Sequence, residues 1–112
     1  HDTDGTRYIV LLDDGYPIAT CRFYEISATE VVLGRVVVLP EYRGKSIGRY
    51  VVNEAEQWIR ELGYEEIHID SRLEAVSFYE KLGYICIDGT LVKSGNFYCI
   101  KMRKFLKTEK GA

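Results

Sequence analysis

The sequence is poor in the residues that build metal centres and disulfide frameworks. Its two histidines, His1 and His68, and its three cysteines, Cys21, Cys86 and Cys99, form no cluster with ligand spacing and no CxxC pair. Neither a metal site nor a stapled secreted scaffold is expected from them. Each cysteine sits inside an apolar run where a small hydrophobe would serve, so buried free thiols in a reducing, cytoplasmic compartment are the expectation. No serine or cysteine has a histidine partner in a recognisable nucleophile pattern. Net positive charge is missing too: 15 Lys and Arg against 17 Asp and Glu leave −2, which argues against nucleic acid as a partner. No apolar run is long enough to cross a bilayer and no signal-peptide pattern is visible, so no membrane partner is expected. Low-complexity stretches and repeats are absent. What remains, 46% hydrophobic and 29% charged residues over 112 positions, suits one packed domain spanning 1–112.

Arg7 to Leu12 is rich in β-branched and apolar residues and runs into Asp13-Asp14-Gly15, a strong hairpin signal. Tyr16 to Ile26 reads as the returning strand. Glu30 to Leu39 reads as a third, with Val36-Val37-Val38 buried on both faces, and the three predict an antiparallel meander. Pro40 stops the third strand. After the glycine-bearing turn of Gly44 to Gly48, a helical stretch follows in which Ile47, Val51, Ala55, Trp58 or Ile59, and Leu62 recur at spacings of three and four, the stripe of one buried helix face, and Gly63 supplies the C-terminal cap. Ile67 and Ile69 mark a short strand, giving a strand, crossover helix, parallel strand unit. Ser71-Arg72-Leu73-Glu74 fits a capping box and opens a second helix ending at Gly83, with Ala75, Phe78 and Leu82 toward the core. Two last strands, near Tyr84 to Ile87 and Phe97 to Met102, form a hairpin about Lys93-Ser94-Gly95-Asn96. The basic stretch from Lys101 to Lys110 reads as a solvated tail. The fold class is therefore a mixed α/β (α+β) sheet: meander, strand-helix-strand-helix, C-terminal hairpin.

Val36 to Gly48 is a strand, a compact turn and a helix N-terminus. Unpaired amides at the helix start point outward, the helix dipole favours negative charge there, and glycines allow close approach of the backbone. Arg43, Lys45 and Arg49 add positive charge, and several successive donors suit a diphosphate better than a lone carboxylate. An ordinary strand-to-helix loop is the plain alternative. The loop has neither the Walker pattern of a triphosphate site nor the GxGxxG of dinucleotide folds.

These residues resemble the GNAT superfamily of N-acetyltransferases. In that family the CoA pyrophosphate is held by a loop of Arg or Gln, two variable residues, Gly, one variable residue, then Gly or Ala. Arg43, Gly44, Lys45, Ser46, Ile47 and Gly48 stand at those positions, with Ser46 in place of the family's glycine. Serine there could cap the helix or donate its hydroxyl to an oxygen, and could equally weaken cofactor affinity. Ala75-Val76-Ser77-Phe78-Tyr79-Glu80-Lys81-Leu82-Gly83-Tyr84 is similar to the family's later signature, a short helix ending in Gly and an aromatic. The family usually begins with a strand and one or two helices ahead of the strand at Arg7, which help wall the acceptor pocket. Their absence here leaves three readings: a fragment, a minimal version, or a wall supplied by a partner.

The resemblance implies acetyl-CoA as cosubstrate and a primary amine, on a small molecule or peptide, as acceptor by direct attack. It implies that Val36, Val37 and Val38 offer backbone groups to the pantetheine arm. It makes Tyr79 the candidate general acid, since a phenol stays protonated at neutral pH and can donate to the leaving sulfur. The general base is left open among Glu25, His68, Asp70 and water. Arg72 stands where many members carry Asn, so that cofactor contact is not carried over. The competing expectation is a CoA-binding or sensor module without catalysis. The edge of the C-terminal hairpin offers a surface through which a homodimer could form.

Overall fold

The computed structural model describes residues 5–106; His1 and the basic stretch from residue 107 onward lie outside them. Six strands form one mixed sheet: β1 (Arg7–Asp13), β2 (Tyr16–Glu25), β3 (Glu30–Val38), β4 (Glu66–Arg72), β5 (Ile85–Ser94) and β6 (Phe97–Phe105). Two α-helices accompany them, α1 (Ile47–Glu61) between β3 and β4 and α2 (Val76–Lys81) between β4 and β5. The spatial order is β1-β2-β3-β4-β6-β5. The first three strands are the expected antiparallel meander, and β3 and β4 pair in parallel across the α1 crossover. The C-terminal hairpin enters with β6 against β4, which leaves β5 on the sheet edge.

Local chemistry explains the corners. Asp14 and Gly15 have φ of 52° and 86°, the pair of left-handed residues that a two-residue hairpin of matching twist requires. Both helices end alike. Gly63, at φ 95°, donates its amide to Arg60 O while Tyr64 reaches back to Ile59 O, and Gly83, at φ 100°, donates to Glu80 O while Tyr84 reaches Tyr79 O. These paired bonds satisfy the last carbonyls of each helix.

The core lies between α1 and one face of the sheet. Val51, Val52, Ala55 and Ile59 of α1 meet Cys21 and Phe23 of β2 and Val31 and Leu33 of β3, all essentially inaccessible. Each of the Val, Leu, Ile and Phe side chains among them contributes about 1.5–3 kcal/mol by leaving water. One charged residue is buried among them. Glu56 accepts from Tyr84 Oη at 2.7 Å and from Lys104 Nζ at 3.0 Å, with Arg60 Nη2 at 3.8 Å. Lys104 Nζ also donates to Leu82 O at 2.7 Å, so this polar knot joins α1, the end of α2 and β6.

Several expectations are corrected. Val37 is 52% exposed, because β3 loses its neighbour on the β4 side before reaching the valine run, and one face of the strand is open there. Leu62 is exposed, the helix having ended at Glu61. Ser71 caps no helix: it belongs to β4, opposite Ile100, and its hydroxyl donates to Arg72 O. The sheet outcompetes the local capping pattern, β4 runs to Arg72, and a short 3-10 turn, Leu73–Ala75, intervenes before α2. On α2 the buried residue is Tyr79, whereas Ala75, Phe78 and Leu82 are only partly covered. The last two strands are longer than expected, so Lys101 to Phe105 is strand rather than tail.

Candidate active site

The chain leaves β3 at Val38, makes a 3-10 turn over Pro40–Tyr42, and enters α1 through Gly44 and Ser46. Gly44 has φ 78° and Ser46, the N-cap, φ 65° and ψ 18°. Two left-handed residues fold the loop back so that the first helical amides point out of the turn. The Ser46 side chain makes no capping bond, so of the roles open to that serine the capping one is not taken up. Tyr50 is the first residue of the helix whose N–H finds a backbone acceptor, Ser46 O at 3.0 Å, and the amides of Ile47, Gly48 and Arg49 have none among the described residues. Three outward amides at the positive end of a 15-residue helix favour an anion.

A cavity of about 480 Å³ opens on those amides. Val38, Arg43, Gly44, Ser46, Ile47 and Gly48, all expected site residues, line it together with Arg49, Phe78 and Lys81. A Cβ on Gly48 would stand 3.5 Å from the Phe78 ring and 3.7 Å from Val38 Cγ2, so the absent side chain leaves the floor of the cavity open. Arg43 Nε donates to Val38 O at 3.0 Å, folding the guanidinium across the end of the strand. Lys45 does not line this cavity; its ammonium lies 5.8 Å from the centre of the Tyr42 ring. Tyr42 Oη in turn donates to Asp13 Oδ2 at 2.6 Å, which ties the loop to the β1–β2 hairpin, and that carboxylate raises the Tyr42 pKa. Tyr42, Phe78 and Lys81 were not singled out from sequence for this cavity. For Phe78, its place beside Tyr79 in the second motif was the available signal.

Val36 and Val37 lie outside the cavity lining, and their offer is of backbone rather than side chain. β3 pairs with β4 only from Glu30–Glu66 to Val32–His68. From Leu33 to Val38 its edge on that side has no ladder partner among the described residues, leaving, apart from the Val38 carbonyl that Arg43 already occupies, a row of N–H and C=O groups that an extended ligand could pair with. A bulge in the β2–β3 ladder, with Arg35 at φ 52°, turns the strand at this level.

Tyr79 is 7% exposed, packed edge-on against Phe78 and Tyr84 with ring centres at 4.9 and 5.8 Å. Burial, with a smaller contribution from the Cys21 thiol, pushes its pKa up to about 12, so it holds its proton at neutral pH. Its hydroxyl has no hydrogen-bond partner among the described residues, and it is not a sealed orphan like Arg103 Nε. The three candidate bases sit in different surroundings. Glu25 accepts the Tyr64 hydroxyl, and Asp70 pairs with Lys101 at 3.1 Å. His68 Nε2 lies 3.1 Å from Glu66 Oε2 and 3.4 Å from Glu30 Oε2. Arg103 Nη1 is 3.8 Å from the same Glu66 oxygen and Ser27 Oγ donates to Glu30 at 3.0 Å, so protein groups already answer both carboxylates.

Comparison with known proteins points one way. Residues 1–84 match the sequence model of the Acetyltransferase (GNAT) family. An uncharacterised acetyltransferase of Streptococcus pyogenes is 32% identical over 110 residues, which is 98% of this chain and 75% of that protein. The crystal structure of a protein from Lactobacillus plantarum, assigned as an N-acetyltransferase, superposes with a TM-score of 0.85 at 31% identity, over 95% of this chain and 73% of that one. The PaiA N-acetyltransferase of Thermoplasma acidophilum in complex with coenzyme A superposes with a TM-score of 0.75 at 25% identity, over 91% of this chain and 62% of that one.

Proposed function

The chain belongs to the GNAT acetyltransferase family, and from that membership we propose that it acts as one catalytic domain moving an acetyl group from acetyl-CoA to a primary amine by direct attack. The observation that carries this reading is the convergence of two backbone features on one cavity: the unpaired amides of Ile47, Gly48 and Arg49, and the unpaired edge of β3 ending at Val38. The first suits linked phosphates and the second suits an amide-bearing arm laid alongside a strand. The coenzyme A bound in the Thermoplasma relative supports the same ligand for this chain. When bound, acetyl-CoA supplies an activated acyl carbon and a thiolate leaving group.

The protein's own groups take the remaining roles. Gly44, Ser46, Ile47 and Gly48 cradle the pyrophosphate, and Arg43, Lys45 and Arg49 add positive charge around it. The backbone of Val36, Val37 and Val38 aligns the arm and polarises the thioester carbonyl. Tyr79, a neutral phenol whose proton burial holds more firmly still, protonates the departing thiolate. The left-handed serine in the loop favours one second reading, a module that binds CoA weakly and does no chemistry, or one that needs a partner to complete its acceptor site. Calorimetric titration with acetyl-CoA and CoA, followed by thiol release with a panel of amines, separates them: binding with amine-dependent thiol release supports the enzyme, and binding without turnover supports the module.

A further inference from the structure

Amine acetylation also needs a proton acceptor, and the placement of one histidine supplies it. Resting on the reading above, we propose that His68 takes the proton from the attacking amine and that Glu66 and Glu30 hold it in that role.

The β3–β4 ladder stops at the Val32–His68 pair, so His68 stands at the fork where the two strands part. The pantetheine arm has about the backbone length of four residues. Laid along β3 from Val38, it carries the thioester to the level of Gly34, about 7 Å along the strand from Val32. A separation of that size is bridged by the imidazole through one water, a reach open to a general base. His68 and Asp70 fall on the sheet face opposite Ile67 and Ile69, which are buried under α1. Tyr79 is on the α1 side, beside Cys21, whose thiol contacts Val51 O at 3.9 Å. Acid and base thus occupy opposite faces of one fork, which lets the amine arrive from one side while the thiolate is protonated from the other.

The tautomer follows from the neighbours. An Nε2–H donated to Glu66 and Glu30 leaves the free lone pair on Nδ1, for which the described residues provide no partner. The charges facing the ring are Glu30 from β3, Glu66 and Asp70 from its own strand, and Arg103 from β6, directly opposite it. Asp70 is answered by Lys101, so the carboxylates left in contact with the ring are Glu66 and Glu30. The ring is 24% exposed, open to an incoming substrate. In the transfer, the amine nitrogen forms its bond to the carbonyl carbon, its proton passes to His68 Nδ1, the C–S bond breaks, and the thiolate takes the Tyr79 proton. Solvent then returns a proton to Tyr79 and removes one from His68, leaving amide and CoA thiol.

Three measurements on wild type, His68→Gln and Glu66→Gln test this, with spermidine, tyramine and a lysine peptide as acceptors. Calorimetry with acetyl-CoA is expected to give affinities within about threefold for all three proteins. The pH profile of kcat/KM is expected to show an acid limb in wild type, with His68→Gln about 100-fold slower at neutral pH. Glu66→Gln is expected to lower kcat/KM while acetyl-CoA affinity is kept, since an amide holds the His68 Nε2–H less firmly. NMR titration of the His68 ring, which needs no acceptor, is expected to follow the same limb. A His68→Gln protein with wild-type rate and profile overturns the assignment of His68 alone, as does a ring titration that fails to match the limb. Wild-type protein that binds acetyl-CoA and acetylates none of the amines overturns the catalytic reading and this one together.

Discussion

Ser46 concentrates the chemistry of the loop in one residue. It adopts φ 65° and ψ 18° without a compensating cap bond, a conformation that costs an L-residue about 1–2 kcal/mol and glycine nothing. Ser46→Gly removes that strain, at a cost of about 0.4–1 kcal/mol from the freer unfolded chain. Net stabilisation of about 0–1.6 kcal/mol is therefore expected in urea unfolding. Acetyl-CoA is expected to bind more tightly as well, because no Cβ would then stand beside the outward amides proposed to face the phosphates. A calorimetric affinity equal to or weaker than wild type would place the pyrophosphate elsewhere. Tyr79→Phe is a different kind of test. The hydroxyl has no hydrogen-bond partner among the described residues, so stability and cofactor affinity are expected to change little while kcat falls tenfold or more; an unchanged rate removes Tyr79 from the chemistry. Both residues stood out in the sequence as candidates, Tyr79 through the second motif and Ser46 as a departure from the loop pattern of the first. The left-handed backbone that makes the departure costly emerged only with the structure.

Among the elements, the open edge of β3 and the Glu56 knot show where reading the sequence stopped short. Local signals located the strands and helices because Asp14-Gly15, Gly63 and Gly83 act on their immediate neighbours. The capping pattern at Ser71 was equally local, and it yielded to pairing with Ile100, a partner 29 positions away that no window over the motif contains. Glu56 lay on a helix face counted as apolar for the same reason: its partners are Tyr84 and Lys104, 28 and 48 positions along the chain. Lys104→Met would leave the buried carboxylate without its ammonium and the Leu82 carbonyl without its donor. A loss of about 3–5 kcal/mol is expected in urea unfolding. The double variant Lys104→Met, Glu56→Leu is expected to recover much of it, since it removes the stranded charge as well as its partner. Equal losses in the single and double variants would mean that Lys104 acts through its packing and its bond to Leu82 alone.

For the molecule as a whole, the core is closed with weak acids that must stay neutral. Burial raises Cys21 from 9.0 and Tyr79 from 10.0, each to about 12, and raises Tyr84 further, where the Glu56 carboxylate adds to the effect. In each case the folded-state pKa lies above the unfolded one, so the folded state binds protons more tightly. The associated stability is fully present below the unfolded pKa and is lost as pH rises toward the folded value. For Tyr79 the two-unit gap corresponds to about 3 kcal/mol on the order-of-magnitude scale of 1.36 kcal/mol per unit, a large share of the roughly 5–15 kcal/mol that holds a domain of this kind together. Unfolding is therefore expected to set in above about pH 10 and to be complete near pH 12, reported by loss of circular dichroism. Tyrosinate absorbance from Tyr79 and Tyr84 should appear only in step with that loss. If all nine tyrosines ionised while the dichroism of the sheet and helices stayed intact, the buried phenols could not be closing the core as described. Tyr79 would then be open enough to solvent to lose its proton in the folded enzyme, and the activity would be expected to fall at the pH of that titration instead of at the pH of unfolding.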